Sequence, residues 1–250
     1  MPRRTTRGEA EKRLEKYRAK RDFATSPEPA DATHRRSSRR KKPIFCVQKH
    51  LATQLHYDFR LEHAGVLLSW AVPKGPSLNP DDKRLAMHVE DHPLDYADFE
   101  GVIPEGYGAG IVMLWDKGTW EPENGNVDKA LEKGELKFRL DGTKLKGSWV
   151  LVRTGRDRSW LLIKHRDDWA GEIDVTEVAP DSVKSFGDFA DILAQEKPDV
   201  LKSHMPARGG ASGALLRKVI AEAAEKIAQR EKHGPARKSA GRRRRKESGR

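Results

Sequence analysis

Apolar and polar residues alternate without interruption across residues 55–62. Leu55, Tyr57, Phe59 and Leu61 fall on one side of a pleated strand, and His56, Asp58, Arg60 and Glu62 fall on the other. Short runs of similar β character recur at 44–48, 66–72, 85–90, 110–115, 135–140, 147–153 and 160–165, with turn residues between them. Two of the connections, Ala64-Gly65 and Asp141-Gly142, have the composition of tight hairpin turns. Many short strands punctuated in this way predict a mainly β protein, an antiparallel barrel or sandwich.

Helical patterns flank this β region. Residues 9–21 are rich in Glu, Lys, Arg and Ala, and the stretch Thr25-Ser26-Pro27-Glu28-Pro29 stops any helix, because proline cannot continue one. Residues 30–42 read as a polar, basic linker. After about Asp174 the β signal fades. Leu216, Ile220, Ala223 and Ile227 recur at helical spacing and predict a helix over 213–232. The expected organisation is a basic N-terminal segment with helix and linker (1–42), a β-barrel domain (43–175), a helical extension (176–234) and a disordered basic tail (235–250).

Charge sharpens this division. The chain of 250 residues has a formal charge of +11 and only 36% apolar residues. Residues 1–42 hold fifteen Lys/Arg against six Asp/Glu, and residues 235–250 hold eight against one, so the middle is mildly acidic. A cation run such as Arg242-Arg243-Arg244-Arg245-Lys246 has no apolar partner. It reads either as a solubilising tail or address signal, or as a sequence-independent grip on nucleic-acid phosphates. No run of 18 apolar residues occurs, which excludes a membrane-spanning helix. The N-terminus lacks the apolar stretch of a secretory signal. The single cysteine, Cys46, excludes an intramolecular disulfide framework and a four-cysteine zinc site. A cytoplasmic protein is expected, associated with the nucleoid if the source is bacterial.

The chemistry-bearing stretch runs from His50 through His56-Tyr57-Asp58-Phe59-Arg60 to Glu62. Same-face neighbours on a strand stand ~6.6 Å apart, close enough for two inward-reaching side chains to share a cation. Imidazole with carboxylate suits Mn, Fe, Zn or Ni better than Ca or Mg. The plain alternative is a solvated strand face with incidental charges. A second segment repeats the composition: period two puts Arg84, His88, Glu90 and His92 on one face, with Leu85, Met87 and Val89 on the other. Between the two segments, Lys74 sits at a Pro/Gly turn. Metal ligands beside Arg60, Lys74 and Arg84 point to an anionic substrate, and phosphate fits best, because guanidinium pairs with it bidentately. Three other readings compete. His56, Asp58 and His92 have the composition of the two-His-one-carboxylate iron triad of β-barrel oxygenases, although the surrounding cations exceed what one carboxylate co-substrate needs. A structural metal site is closed by four ligands and rarely sits among guanidiniums. A zinc deaminase lacks its cysteine pair here.

From about Arg21 to Arg166 the sequence strongly resembles the phosphoesterase domain of bacterial ligase D, the end-healing module of nonhomologous end joining. The resemblance rests on Lys20-Arg21-Asp22-Phe23 with Glu28-Pro29, on His50 through Leu61, and on Ser69-Trp70-Ala71-Val72-Pro73-Lys74-Gly75-Pro76. It continues through Glu90-Asp91-His92-Pro93-Leu94-Asp95-Tyr96, Phe99 through Gly110, and Trp115-Asp116-Lys117-Gly118-Thr119-Trp120. It implies a compact antiparallel β-barrel with an N-terminal helix and a C-terminal helical extension. It also implies a manganese-dependent enzyme that removes a 3′-terminal ribonucleoside and then the 3′-phosphate, leaving a 3′-hydroxyl on DNA or RNA ends.

By that resemblance His50, His56 and Asp58 are the metal ligands. Arg60 and His92 act on the scissile phosphate with Lys74 and Arg84, and Glu90 and Tyr96 support the site. Arg21, Asp22 and Glu28 serve the ribonuclease step. No Lys-x-Asp-Gly adenylation motif is present, so a stand-alone phosphoesterase is expected, working with a separate DNA ligase or end-joining factor. A catalytically silent end-binding module is the remaining alternative. The 104–110 loop looks one residue shorter than the family pattern.

Overall fold

A computed structural model of the protein describes residues 7–30, 42–123, 125–155, 158–196, 202–203 and 210–233. The expected basic tail (235–250) and most of the expected linker lie outside the described residues. The strands in chain order are β1 (Ile44–Leu51), β2 (Leu55–His63), β3 (Val66–Val72), β4 (Arg84–His88), β5 (Gly101–Ile103), β6 (Glu105–Gly106), β7 (Gly110–Pro122), β8 (Glu135–Gly142), β9 (Lys146–Arg153), β10 (Ser159–Lys164) and β11 (Lys202–Ser203). Eight of them close an antiparallel barrel in the order β1-β2-β3-β4-β10-β9-β8-β7, with β7 pairing back onto β1. Closure leaves none of the eight with an open edge. β5 extends the sheet beyond β7, and β6 pairs with β11.

The alternation read along residues 55–62 is what makes a barrel with two different faces. Tyr57, Phe59 and Leu61 point inward to join Phe45, Val47, Leu68, Trp70, Met113, Trp115, Phe138, Trp149 and Leu162 in one core. Helix α5 (Phe189–Glu196) and the long helix α6 (Gly210–His233) extend this core, through Phe189, Ile192 and Leu193 and through Val219 and Ala223. A smaller apolar cluster forms on the outer wall. Tyr17 of α2 (Glu15–Ala19) and Tyr96 of the 3-10 helix Leu94–Asp98 pack there over Cys46, Leu67 and Leu114. The N-terminal segment is therefore a roof over one patch of the outer wall.

Several expectations need correction. The N-terminal helix is two pieces, α1 (Arg7–Arg13) and α2, broken at Leu14, whose N–H is shared between the Ala10 and Glu11 carbonyls. Helix α3 (Val127–Lys133) interrupts the β series. Its signals were present in sequence, with Asn126 capping the Lys129 N–H and Gly134 ending it at φ 81°. A further short helix, α4 (Val175–Val178), follows the barrel. Ala64 and Gly65 do form a hairpin turn, both at positive φ. Asp141 and Gly142 do not turn: they still pair with Thr119 and Gly118 of β7, and the chain reverses over 143–145. Glycine is needed at 142 for packing, since a Cβ there sits 2.5 Å from Phe45 Cζ and 2.7 Å from Asp116 Oδ2.

The two-face reading of 84–92 also fails. Trp70 pairs with His88 and the Val89 N–H bonds to Ser69 O, but Leu67 pairs with His92. Two residues of β3 thus face three of the other segment, and the extra residue inverts the alternation. His92 swings to the outer wall, whereas His88 stays inward between Trp70 and Trp160.

Replacing Gly142 with alanine is expected to destabilise the barrel by about 1–3 kcal/mol through overpacking against Phe45 and Asp116, read as a fall in the thermal unfolding midpoint. An unchanged midpoint contradicts this packing.

Candidate metal centre

Strand register builds the centre. His50 of β1 pairs directly with His56 of β2, and Gln48 pairs with Asp58, so two imidazoles and a carboxylate share one outer patch. One potential ligand atom from each of His50, His56 and Asp58 lies within 4.8 Å of the others. His50 Nδ1 is 3.7 Å from Asp58 Oδ2, and His56 Nε2 is 3.7 Å from Asp58 Oδ1. Ligand atoms each ~2.1 Å from one ion stand ~3–4 Å apart, so this spacing suits a cation of zinc or manganese type.

The far nitrogen of each imidazole is already engaged. His50 Nε2 reaches Gly108 O at 2.9 Å, and His56 Nδ1 reaches Gln54 O at 2.9 Å. A carbonyl accepts only an N–H, so the proton sits on those nitrogens and the lone pairs face Asp58. Glycine at 108, with φ 81°, provides the left-handed backbone from which the carbonyl reaches His50. Burial lowers the His56 pKa, with Asp58 opposing, so the ring is neutral at pH 7. Burial by itself raises the Asp58 pKa. The Arg60 guanidinium, joined by the two histidines once acid protonates them, outweighs that and holds the carboxyl well below the usual carboxylate range. Neutral imidazoles with an ionised carboxylate are the protonation state that a metal requires.

Arg60 lies deeper, only 2% exposed. Its guanidinium donates to Gln48 Oε1 (2.8 Å), Ser69 Oγ (2.8 Å) and Asp58 Oδ2 (3.1 Å), and lies 4.8 Å from the Tyr96 ring centre. The roof adds a second set of charges. Arg21 donates to Glu28 Oε1 (2.8 Å) and Glu90 Oε1 (3.2 Å), and its Nη2 meets His92 Nε2 at 3.2 Å. Glu28 also accepts from the Tyr96 hydroxyl at 2.9 Å. Lys20 donates to Glu90 Oε2 at 2.8 Å. His92 Nδ1 is 2.8 Å from Glu90 O, so this N–H donates and Nε2 accepts from Arg21. Burial first, then Arg60 and Arg21, holds the His92 pKa well below its ordinary value. Burial and the Glu28 charge push the Tyr96 phenol well above its own.

The structure thus gathers His50, His56, Asp58, Arg60, Glu90, His92, Tyr96, Arg21 and Glu28 in one region. Lys74 is exposed on the turn two residues beyond Val72, which pairs with Tyr57 at the same end of the barrel. Asp22 is exposed and its carboxylate accepts from the Ala24 N–H within a turn. Arg84 lies on the inward-facing side of β4 and pairs with Asp82 at 2.8 Å. Gln48, Ser69, Gly108 and Tyr107 carry no functional signal of their own in the sequence. Gln48 was legible once β1 pairs with β2, because it lies opposite Asp58.

A closed antiparallel barrel bearing a His-His-Asp cluster on its outer wall, beneath a cationic roof, defines a β-barrel protein with a candidate divalent-metal centre. Residues 48–153 match the family model of the DNA Ligase D 3′-phosphoesterase domain. Multifunctional non-homologous end joining protein LigD of Pseudomonas aeruginosa is 50% identical over 209 residues, covering 81% of this chain and 24% of that relative. The similarly named proteins of Mycobacterium tuberculosis (46% over 165 residues) and Mycolicibacterium smegmatis (40% over 161) each cover 62% of this chain. Residues 48–153 of the chain belong to the ligase D 3′-phosphoesterase domain family. It spans about a quarter of the Pseudomonas relative's length and about a fifth of the mycobacterial ones'.

Two outcomes follow from this geometry. Because both imidazoles must be unprotonated, Mn²⁺ affinity measured by calorimetry is expected to be strong at pH 7.5. It should fall progressively below the ordinary imidazole value of 6.5; pH-independent binding contradicts the ligand set. Glu28→Ala removes the nearer of the two carboxylates on Arg21, whose side chain is only 5% exposed, and the acceptor of the Tyr96 hydroxyl, and is expected to cost about 1–3 kcal/mol in urea unfolding. A loss no larger than that of the half-exposed Glu121→Ala contradicts the pairing.

Proposed function

We propose that this chain is a divalent-metal-dependent phosphoesterase that heals nucleic-acid 3′ ends, removing a terminal ribonucleoside and then the 3′-phosphate to leave a ligatable hydroxyl. The observation that carries this reading is the convergence of His50, His56 and Asp58, with both outer nitrogens tied to carbonyls, beside the Arg60 guanidinium. Family membership supports the phosphoester substrate. The names of the relatives support a place in end joining, with a ligase acting on the product.

His50, His56 and Asp58 hold the cation, with manganese as the proposed metal. A divalent ion at that point supplies charge neutralisation to a phosphate oxygen. The chain's own groups do the rest. Arg60 cannot leave its three acceptors without exposing a buried charge, so it acts as a fixed positive field beside the phosphate. Arg21 and Lys20 extend that field across the roof. His92 is held neutral by burial first and then by two guanidiniums that repel its proton. A bound phosphate offsets the guanidinium part of that penalty and so shifts His92 toward its protonated form, the state needed to protonate a leaving oxygen. Tyr96 and Glu28 hold Arg21 in position. Lys74, at the exposed rim, is suited to a phosphate further along the strand. No helix of the described residues is long and apolar enough to cross a membrane, which is consistent with action on nucleoid DNA in the cytoplasm.

The test is a DNA primer–template ending in one 3′-ribonucleotide, incubated with Mn²⁺. The expected products are the primer shortened by one nucleoside and then its 3′-hydroxyl form. An unchanged end on folded, metal-loaded protein contradicts the proposal and favours a silent end-binding module. His56→Ala and Asp58→Asn, the latter keeping an oxygen acceptor for Arg60, are each expected to lower turnover by ~10²-fold or more with the circular dichroism spectrum intact. Retained turnover in either removes that residue from the ligand set.

A further inference from the structure

Tyr107 stands at the centre's edge with no part in the chemistry above. It lies in the loop between β6 and β7, one residue before the Gly108 carbonyl that holds His50. Glycines on both sides, Gly106 at φ 88° and Gly108 at φ 81°, fix the loop in a course that side-chain-bearing residues rarely adopt. Lys20 Nζ donates to the Tyr107 hydroxyl at 3.3 Å and lies 4.5 Å from the ring centre, and Arg21 Cζ is 5.7 Å from it. The ring is therefore held among cations of the roof. The other tyrosines of this region, Tyr17 and Tyr96, are 0% and 2% exposed, whereas Tyr107 remains 50% exposed.

A large aromatic surface left open to water costs free energy unless something covers it. Here the ring stands one residue from the Gly108 carbonyl that holds His50, and against Lys20 and Arg21. We propose that Tyr107 is a stacking subsite for the terminal nucleobase of the strand being processed. The inference rests on the nucleic-acid reading above and deepens it. Every base presents a π face, so such a platform tolerates any base identity. Lys20, bridging the ring and Glu90, fixes the platform's orientation relative to Arg21 and His92. A strand ending in a ribonucleoside has a base beyond the scissile phosphate, and a strand ending in a 3′-phosphate has none. Tyr107 therefore sets the balance between the two steps by binding the substrate of the first.

The experiment compares wild type, Tyr107→Ala and Tyr107→Phe on primers ending in a 3′-ribonucleoside or a 3′-phosphate. Losing one base–aromatic stack is expected to lower the ratio of kcat/KM values, nucleoside-ended over phosphate-ended, by roughly tenfold. The change should appear mainly in KM, and Tyr107→Phe should restore it. Affinities of the same primers for chelator-treated protein give the ratio without turnover and should shift alike. A ratio unchanged in Tyr107→Ala overturns the subsite, whether both activities fall together, as for a ring that only props the Gly108 loop, or neither falls. Failure of wild type to process either primer, with the binding ratio still shifted by Tyr107→Ala, overturns the hydrolytic reading and leaves the stacking subsite standing.

Discussion

A guanidinium removed from water on the outer wall of the barrel organises this protein. An unpaired buried cation costs several kcal/mol, so Arg60 demands acceptors from every direction. Gln48, Ser69 and Asp58 meet that demand from three adjacent strands, and Tyr96 covers the planar face. The consequences run outward. Gln48 turns its own amide to the Tyr96 and Phe99 carbonyls, which pins the 3-10 helix to the wall. Asp58 is kept ionised beside His50 and His56. One buried charge thereby fixes both the carboxylate of the metal centre and part of the roof above it.

The barrel supplies rigidity and the roof supplies charge. Inward residues are apolar and tightly packed, so the outward positions of β1 and β2 keep a fixed spacing. The roof is attached differently, through ion pairs: Arg13 with Asp91, Lys20 with Glu90, and Arg21 with Glu28 and Glu90. Those cations already carry carboxylate partners. An incoming phosphate therefore competes for them, which suits a surface that must bind and release an anionic strand.

Much of this was legible from residues alone, because the signals were local. The alternation over 55–62 marks the β2 faces, and the spacing of His56 and Asp58 marks two of the three candidate ligands. What period two did not carry was any change in backbone count. The extra residue between Val89 and His92 moves His92 onto the outer face while leaving Arg84 and His88 inward, and no residue type in that stretch announces it. Asp141-Gly142 misled for a related reason: its glycine is required by the Phe45 ring and the Asp116 carboxylate, groups distant in sequence. Helix α5 falls inside the expected helical extension (176–234), but its bounds were not legible because eight residues hold too few repeats for a period. Gln48 and Ser69 became visible only through pairing, since neither amide nor hydroxyl signals chemistry until a guanidinium faces it.

Crystals grown with Mn²⁺ and examined by anomalous scattering test the central claim most directly. The account predicts a single ion bound by His50 Nδ1, His56 Nε2 and the Asp58 carboxylate, with Arg60 still bonded to Gln48 and Ser69. Anomalous density elsewhere on the molecule, or an ion held through His50 Nε2 or His56 Nδ1, contradicts it.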